Sequence, residues 1–365
     1  MTLENRRSRI TIFIIIAAIA GVAGISGFAA FSPENEQIVI ATNRSFGSLP
    51  VWVAYEEGIF EKYGLDVTLR EFSTQLLTKQ ALDEGQAHFV GATPTSVFEH
   101  AASSGQFLKL IHVTGSTQPG NTQLIVRDGV DVSSLEDLKG KVVAFDLPRS
   151  GCQECFGFEI IIVENGLSLD HDISIKEISY SRMSESLEQG LVDAAIMTEP
   201  YSSIAVHANV GYVLLDPRLG DEGDASVEVF GSQIQDGDNE VKTRLATFGI
   251  WTSEEYLTEN PETVHKVSRS LAEASTWLSE EDNRDRAVAI LVKYLGILGP
   301  EELLDFSARS ALETFFWKPY PDGFTDWEAL EQQTDRLAEN GIINSEIKVD
   351  RYVSLPWHQP NRDTL

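Results

Sequence analysis

Leu49 to Phe72, LPVWVAYEEGIFEKYGLDVTLREF, reads as a short helix, a tight reversal and an extended strand. Pro50 suits a first helical position, because its missing N–H would find no partner there anyway. Gly58 and Gly64 supply the permissive backbone that ends each helical turn. Val67 and Leu69 alternate with Thr68 and Arg70, the period of a strand. Upstream, Ile38 to Thr42 (IVIAT) is a second strand, and it runs into the polar, glycine-containing loop Asn43 to Leu49. The pattern opens an α/β domain. In such sheets ligands bind beyond the carboxyl ends of strands, where helix N-termini present free N–H groups, so this loop is the first candidate contact.

Working outward, 365 residues exceed the size at which one hydrophobic core keeps growing, and two globular domains are expected. Acidic side chains number 56 against 28 basic ones, a formal net charge of −28. That balance argues against a nucleic-acid partner, which needs clustered Lys and Arg, and favours a well-solvated surface. At the N-terminus, Arg6, Arg7 and Arg9 precede an uncharged, largely apolar run from Ile10 to Phe31. Its length and basic flank predict a signal peptide or membrane anchor over residues 1–31, with everything after Ser32 outside the cytoplasm.

From Ile38 the chain alternates strands and helices. Ala87 to Gly91 is extended and leads into a helix over Val97 to Ser104, with Thr93 as cap and Pro94 as first residue. Phe107 to Val113 is a strand followed by the polar loop Thr114 to Thr117. Ser133 and Glu136 read as a capping box, and Lys141 to Phe145 as a strand leading through Asp146 to Gly151 into a helix. Ile173 to Ser179 and Asp193 to Met197 are extended, with a helix over Arg182 to Gln189 between them. The acidic stretch Leu219 to Glu240 reads as loop, and Ala246 to Trp251 as strand. Thr252 and Glu255 cap the next helical turn, and a helix opened by Asn260-Pro261 has Val264, Val267, Leu271, Ala274 and Leu278 on one face. Further helices are expected over Arg286 to Tyr294, Pro300 to Leu312 and Asp326 to Asn340.

Five segments in order, GSLPVWVAYEEGIFEKYGLDV, QALDEGQAHFVGATPTS, LEDLKGKVVAFDLP, SLEQGLVDAAIMTEPY and EEYLTENPETVHKVSRSLAEASTWL, resemble the substrate-binding proteins of ABC importers for nitrate, sulfonates, taurine and thiamine-pyrimidine precursors. The resemblance spans Ile38 to about Ile343. It implies a two-lobed type II periplasmic-binding fold, α/β throughout, each lobe a mixed, mostly parallel sheet flanked by helices. Lobe I would combine residues 32–127 with 245–365 and lobe II would hold 128–244, with crossovers near 126–131 and 242–247. It further implies a monomer that delivers a small-molecule solute to a membrane permease, without a cofactor and without catalysis.

Matching positions for ligand contact are Arg44, Ser45, Phe46 and Gly47 in the first loop, Thr93, Thr95 and Ser96 in the second, and Thr114 and Gly115 in the third. From the other lobe come Arg149, Ser150, Gly151 and Cys152, then Glu199 and Tyr201; Trp251 and Trp52 lie near predicted cleft loops as stacking candidates. Arg44, Arg149 and Arg182 would pair with an oxyanion, whereas Glu199 would accept from an amine or amidine, so the ligand's sign stays open. Cys152 and Cys155, the only cysteines, stand as Cys-Gln-Glu-Cys at a predicted helix start. A disulfide, a redox or ligand-contacting pair, and a metal site completed by His88, His112 or Glu154 are the readings, in that order. No Gly-x-Ser-x-Gly elbow, Walker loop, dinucleotide fingerprint or His-Glu-x-x-His occurs, which ranks solute capture above a sensory module and both above a thiamine-pyrimidine type of enzyme.

Overall fold

The opening stretch adopts the pattern its residues dictate. In the computed structural model, β1 (Glu36–Asn43) pairs in parallel with β2 (Leu65–Phe72), and α1 (Leu49–Glu56) and α2 (Ile59–Lys62) lie between them in the chain. Gly58 and Gly64 take left-handed φ angles of 67° and 77°, which only a residue without Cβ adopts at low cost. Residues 36–117, 121–146, 152–215, 234–236, 240–242, 248–296, 300–313 and 315–317 are described, together with 335 and 352. The predicted membrane-directed segment and the helix predicted over 326–340 lie outside them, apart from residue 335.

After β2 come α3 (Gln75–Asp83), β3 (Phe89–Ala92), α4 (Pro94–Ser104) and β4 (Leu108–Thr117). The chain then builds a second sheet from β5 (Thr122–Arg127), β6 (Val142–Phe145), α5 (Gln153–Glu164), β7 (Ser174–Glu177), α6 (Tyr180–Glu188), β8 (Ala194–Thr198), α7 (Tyr201–His207) and β9 (Gly211–Leu215). A small hairpin, β10 (Ile234–Asp236) with β11 (Glu240–Lys242), precedes β12 (Phe248–Ser253). The remaining elements are α8 (Glu254–Glu259), α9 (Pro261–Leu278), α10 (Arg284–Leu295), α11 (Glu301–Glu313) and β13 (Phe315–Trp317).

The first sheet has the order β13-β4-β12-β3-β1-β2 and the second β7-β6-β8-β5-β9. In each, one internal strand runs against its neighbours: β12 against β3 and β4, and β5 against β8 and β9. Helices cover both faces, as parallel strands buried on two sides require. One face of the first sheet packs Trp52, Phe60 and Phe89 against Val264, Leu271 and Leu291 of α9 and α10; the other packs Phe98, Leu110, Trp251 and Tyr352. The second sheet has its own two cores, one with Phe145, Phe158 and Ile162, the other with Met183, Leu187 and Met197.

Several local expectations change. β5 belongs to the second sheet, so the chain leaves the first one between Thr117 and Thr122, upstream of the crossover expected at 126–131. Thr114 to Thr117, read as a polar loop, continues β4 because β12 and β13 supply hydrogen-bonding partners on both edges. The Ser133–Glu136 box gives way to Asp137, whose carboxylate accepts from the backbone N–H and hydroxyl of both Ser133 and Ser134. Ser253 rather than Thr252 caps α8, accepting from Tyr256 N–H at 3.0 Å, while the Thr252 hydroxyl donates to the His88 carbonyl. Trp251, expected near the cleft, is fully buried inside β12, and its indole N–H donates to the Ala92 carbonyl at 3.0 Å. Truncating a side chain of that volume leaves a cavity and an orphaned carbonyl, so Trp251→Ala should lower unfolding free energy by about 3–5 kcal/mol, measured by urea denaturation.

Candidate ligand-binding site

A cleft with a cavity volume of about 80 Å³, partly open to solvent, lies where residues of the two sheets meet. From the first sheet it is lined by Asn43, Arg44, Ser45, Phe46 and Gly47 after β1, Gln75 at the start of α3, Thr93 after β3, and Phe248 at the start of β12. From the second come Asn121 before β5, Asp146 after β6, Cys152, Tyr180, and Thr198, Glu199 and Tyr201 at the end of β8. These are the carboxyl ends of parallel strands and the amino ends of the two reversed internal strands, β5 and β12. Five helices begin there, with Gln75, Tyr180 and Tyr201 as first residues of α3, α6 and α7, and Thr93 and Cys152 as caps of α4 and α5. First turns of five helices, three with one N–H already held by a capping side chain, and the positive ends of their dipoles therefore converge on one volume.

The lining is locked by hydrogen bonds between its own members. Gln75 Oε1 accepts from the Thr93 N–H at 2.8 Å, and Thr93 Oγ1 accepts from Ser96 N–H at 3.3 Å. Gly47 is a close approach: a Cβ there would overlap the Phe248 ring. Tyr180 and Tyr201 stack with centroids 6.1 Å apart at 15°, and the Tyr180 hydroxyl lies 3.5 Å from Cys152 Sγ. Cys152 and Cys155 are bonded through their sulfurs, and Cys152 Sγ accepts from the Cys155 N–H at 3.1 Å, capping α5.

Charge in the cleft is held under restraint. The Arg44 Nε donates to Glu71 Oε1 at 2.5 Å, so its guanidinium already has a counterion. Glu199 is buried; its Oε1 accepts from the hydroxyls of Ser203 at 2.6 Å and Ser310 at 3.4 Å, while its Oε2 has no hydrogen-bond partner among the described residues. Burial drives its carboxyl up to about 7, against the opposing pull of hydroxyls and a backbone N–H at the start of α7. Tyr201 is pushed up to about 12, by burial first and the Asp146 charge second, and stays a neutral donor.

Of the residues expected from sequence, Arg44, Ser45, Phe46, Gly47, Thr93, Cys152, Glu199 and Tyr201 line the cleft. Arg149, Ser150 and Gly151 lie outside the described residues. Thr95 and Ser96 are buried behind Thr93 in the first turn of α4, and Thr114 and Gly115 are buried in β4, where the Thr114 hydroxyl donates to the Phe248 carbonyl. Trp251 is not part of the lining, Trp52 stacks on Tyr294 in the core, and Arg182 is exposed on α6. His88 accepts from the Val39 N–H and His112 meets Ser275, and among the described residues no three His, Cys, Asp or Glu stand together as metal ligands. Gln75, Asn121, Asp146, Tyr180, Thr198 and Phe248 were not among the expected contacts. Asp146 and Thr198 carried a usable signal, each sitting at the end of an apolar strand run, whereas Asn121 enters only because β5 is reversed.

The raised carboxyl of Glu199 stabilises the fold below its ordinary value of 4.5, and that contribution disappears as pH rises through about 7. Glu199→Gln should thus gain stability relative to the unmodified chain between those pH values, by up to about 3 kcal/mol, in denaturation followed across pH. Thiol titration of the denatured, unreduced protein should find no free thiol, and two per chain after reduction.

Comparison with known proteins places this geometry. Residues 32–292 match the model of the NMT1-like family. YtlA of Bacillus subtilis strain 168, a candidate binding protein by name, is 21% identical over 308 residues, 82% of this chain and 84% of its own. The alkanesulfonate-binding protein SsuA of Xanthomonas axonopodis pv. citri, solved with MOPS, superposes with a TM-score of 0.65 at 19% identity, covering 88% of this chain and 99% of its own. The periplasmic nitrate-binding protein NrtA of Synechocystis PCC 6803 superposes with 0.63 at 13% identity, covering 87% and 84%. At such identities these structures establish the periplasmic-binding-protein fold, and the matched model covers well over half the chain: this protein belongs to the NMT1-like family.

Proposed function

We propose that this protein captures a small polar solute in the cleft between its two sheets, outside the cytoplasm, and delivers it to an ABC importer. The observation that carries the reading is the convergence of strand ends and five helix N-termini from both sheets on one aromatic-walled volume. A site so built holds a ligand by donors and flat apolar faces. Hydroxyls, amides and a buried carboxyl suit contacts and caps in a binding site, and similar proteins are named as binding proteins and as a ligand-binding component of an ABC-type import system. Sulfonate and nitrate are the solutes in the names of the structural neighbours, and oxyanions and small heterocycles are the first solutes to try.

The two sheets with their helices act as lobes. Chain segments 118–121 and 216–247 connect them, and closure of one lobe on the other shields the solute and creates the surface a permease reads. Glu199 sits at the seam, joined to Ser203 of α7 and Ser310 of α11, so closure passes through a buried carboxyl. An extracytoplasmic setting agrees with the bonded cysteine pair.

Native mass spectrometry of gently purified protein should show a retained small molecule, and X-ray scattering should show compaction when that solute is added back. No retained molecule and no compaction with nitrate, sulfonates or pyrimidines would sink the reading. Gly47→Ala, which forces the Phe248 ring to move, should weaken solute binding by roughly tenfold or more in calorimetric titration while the circular dichroism spectrum is kept.

A further inference from the structure

Behind the first-sheet wall of the cleft lies a buried cation, Lys79, only 3% exposed. Its ammonium donates to the Gln75 carbonyl at 3.0 Å and to the Ser96 hydroxyl, and no carboxylate forms an ion pair with it among the described residues. Both partners are neutral, and both belong to first turns of helices that open on the cleft: Gln75 is the first residue of α3 and Ser96 lies in the first turn of α4. Gln75 lines the cleft itself, and its amide oxygen binds the N–H of Thr93, which also lines it. One layer of neutral groups therefore separates the ammonium from the ligand volume.

A buried ammonium is destabilised unless a charge compensates it. The acidic groups that bear on Lys79 are Asp83 on its own helix and Glu99 on α4; His100, also on α4, is held towards its neutral form chiefly by burial while it faces Asp83. Asp83 and Glu99 act on Lys79 only at a distance. On the cleft side, Arg44 is paired with Glu71, and the lining also carries two acids, Asp146 and Glu199, the latter raised by burial to about 7; among the described residues near the lining, Lys79 is the buried cation without an ion pair.

We propose that Lys79 is a specificity-determining residue that selects an anionic solute, its charge reaching the ligand through Gln75 and Thr93 without direct contact. This rests on the solute-capture reading and names the charge of the solute. The field of an ion in a poorly solvated wall is screened far less than that of a surface lysine, so it discriminates charge at a separation of one helical turn. Burial lowers Lys79 to about 8, which makes the selection depend on pH: an anion binds the protonated form, and affinity falls as pH rises past that value. Replacing a lysine that merely tied α3 to α4 would change neither the preference for an anion nor the fall of affinity past that value, whereas the fall that Glu199 causes in the cleft lies lower, near 7.

The test is calorimetric titration of the full protein with nitrate, ethanesulfonate and uncharged cytosine, in the unmodified chain and in Lys79→Met. At least one of the two anions should bind at pH 7, cytosine should not, and anion affinity should drop about tenfold or more in the variant. Should the variant fail to fold, a Glu199→Gln chain, which lacks the cleft carboxyl that itself titrates near 7, carries the same test: anion affinity flat from pH 6 to about 7.5 and falling about tenfold or more by about pH 9.5. Equal affinity in both proteins together with a flat profile overturns the inference, as does binding of cytosine alone. Absence of binding by all three also overturns it, whereas solute capture falls only on the mass-spectrometric and scattering result given above.

Discussion

The insertion of β12 between β3 and β4 is the contact on which the rest of the molecule depends. After leaving the first sheet at Thr117 and building the whole of the second, the chain returns and lays Phe248–Ser253 antiparallel to two strands from its first third. The ladder buries Trp251 on one face and brings Phe248 to the cleft against Gly47. It also ties the two passages between sheets to one place, since both ends of the second unit must leave and re-enter beside the same strands. Such a long-range pairing carries a large loop-closure cost, offset by a fully buried ladder and by the helices α8 to α11 that β12 brings back to the sheet.

The cleft inherits its chemistry from that topology. Parallel strands point their carboxyl ends one way, so the helices after them begin together and direct their free N–H groups at the same volume. Several ionisable groups nearby are moderated, Arg44 by Glu71, Glu199 by burial and hydroxyls, and Tyr201 by burial and the charge of Asp146, which itself lines the cleft. Behind the wall, Lys79 is buried with neutral hydrogen-bond partners. An ion held in a poorly solvated wall is screened less than a paired surface charge, which is the physical basis of the role proposed for Lys79 beside the lining acids Asp146 and Glu199.

Local residue chemistry announced much of this. Pro50, Gly58, Gly64, Thr93 with Pro94, and the apolar stripe Val264, Val267, Leu271, Ala274 act through neighbours within a turn or two, and each element they predict is present. The loop after β1 and the turn at Glu199 were legible for the same reason. Trp251 misled because an aromatic at a strand end looks alike whether it faces ligand or core, and Thr114 to Thr117 misled because polar residues extend a strand once partners flank it.

Sequence alone determined the α/β class, the order of elements and the helix starts that supply donors, because periodicity and capping are properties of a few consecutive residues. Only the tertiary structure decided that β5 belongs to the second sheet, that Asn121, Asp146 and Phe248 meet Arg44 and Glu199 in one cleft, and that Lys79 is buried against neutral partners. Those facts arise from strand pairings between segments tens to more than a hundred residues apart, whose energy depends on which surfaces bury each other and leaves no trace in local spacing.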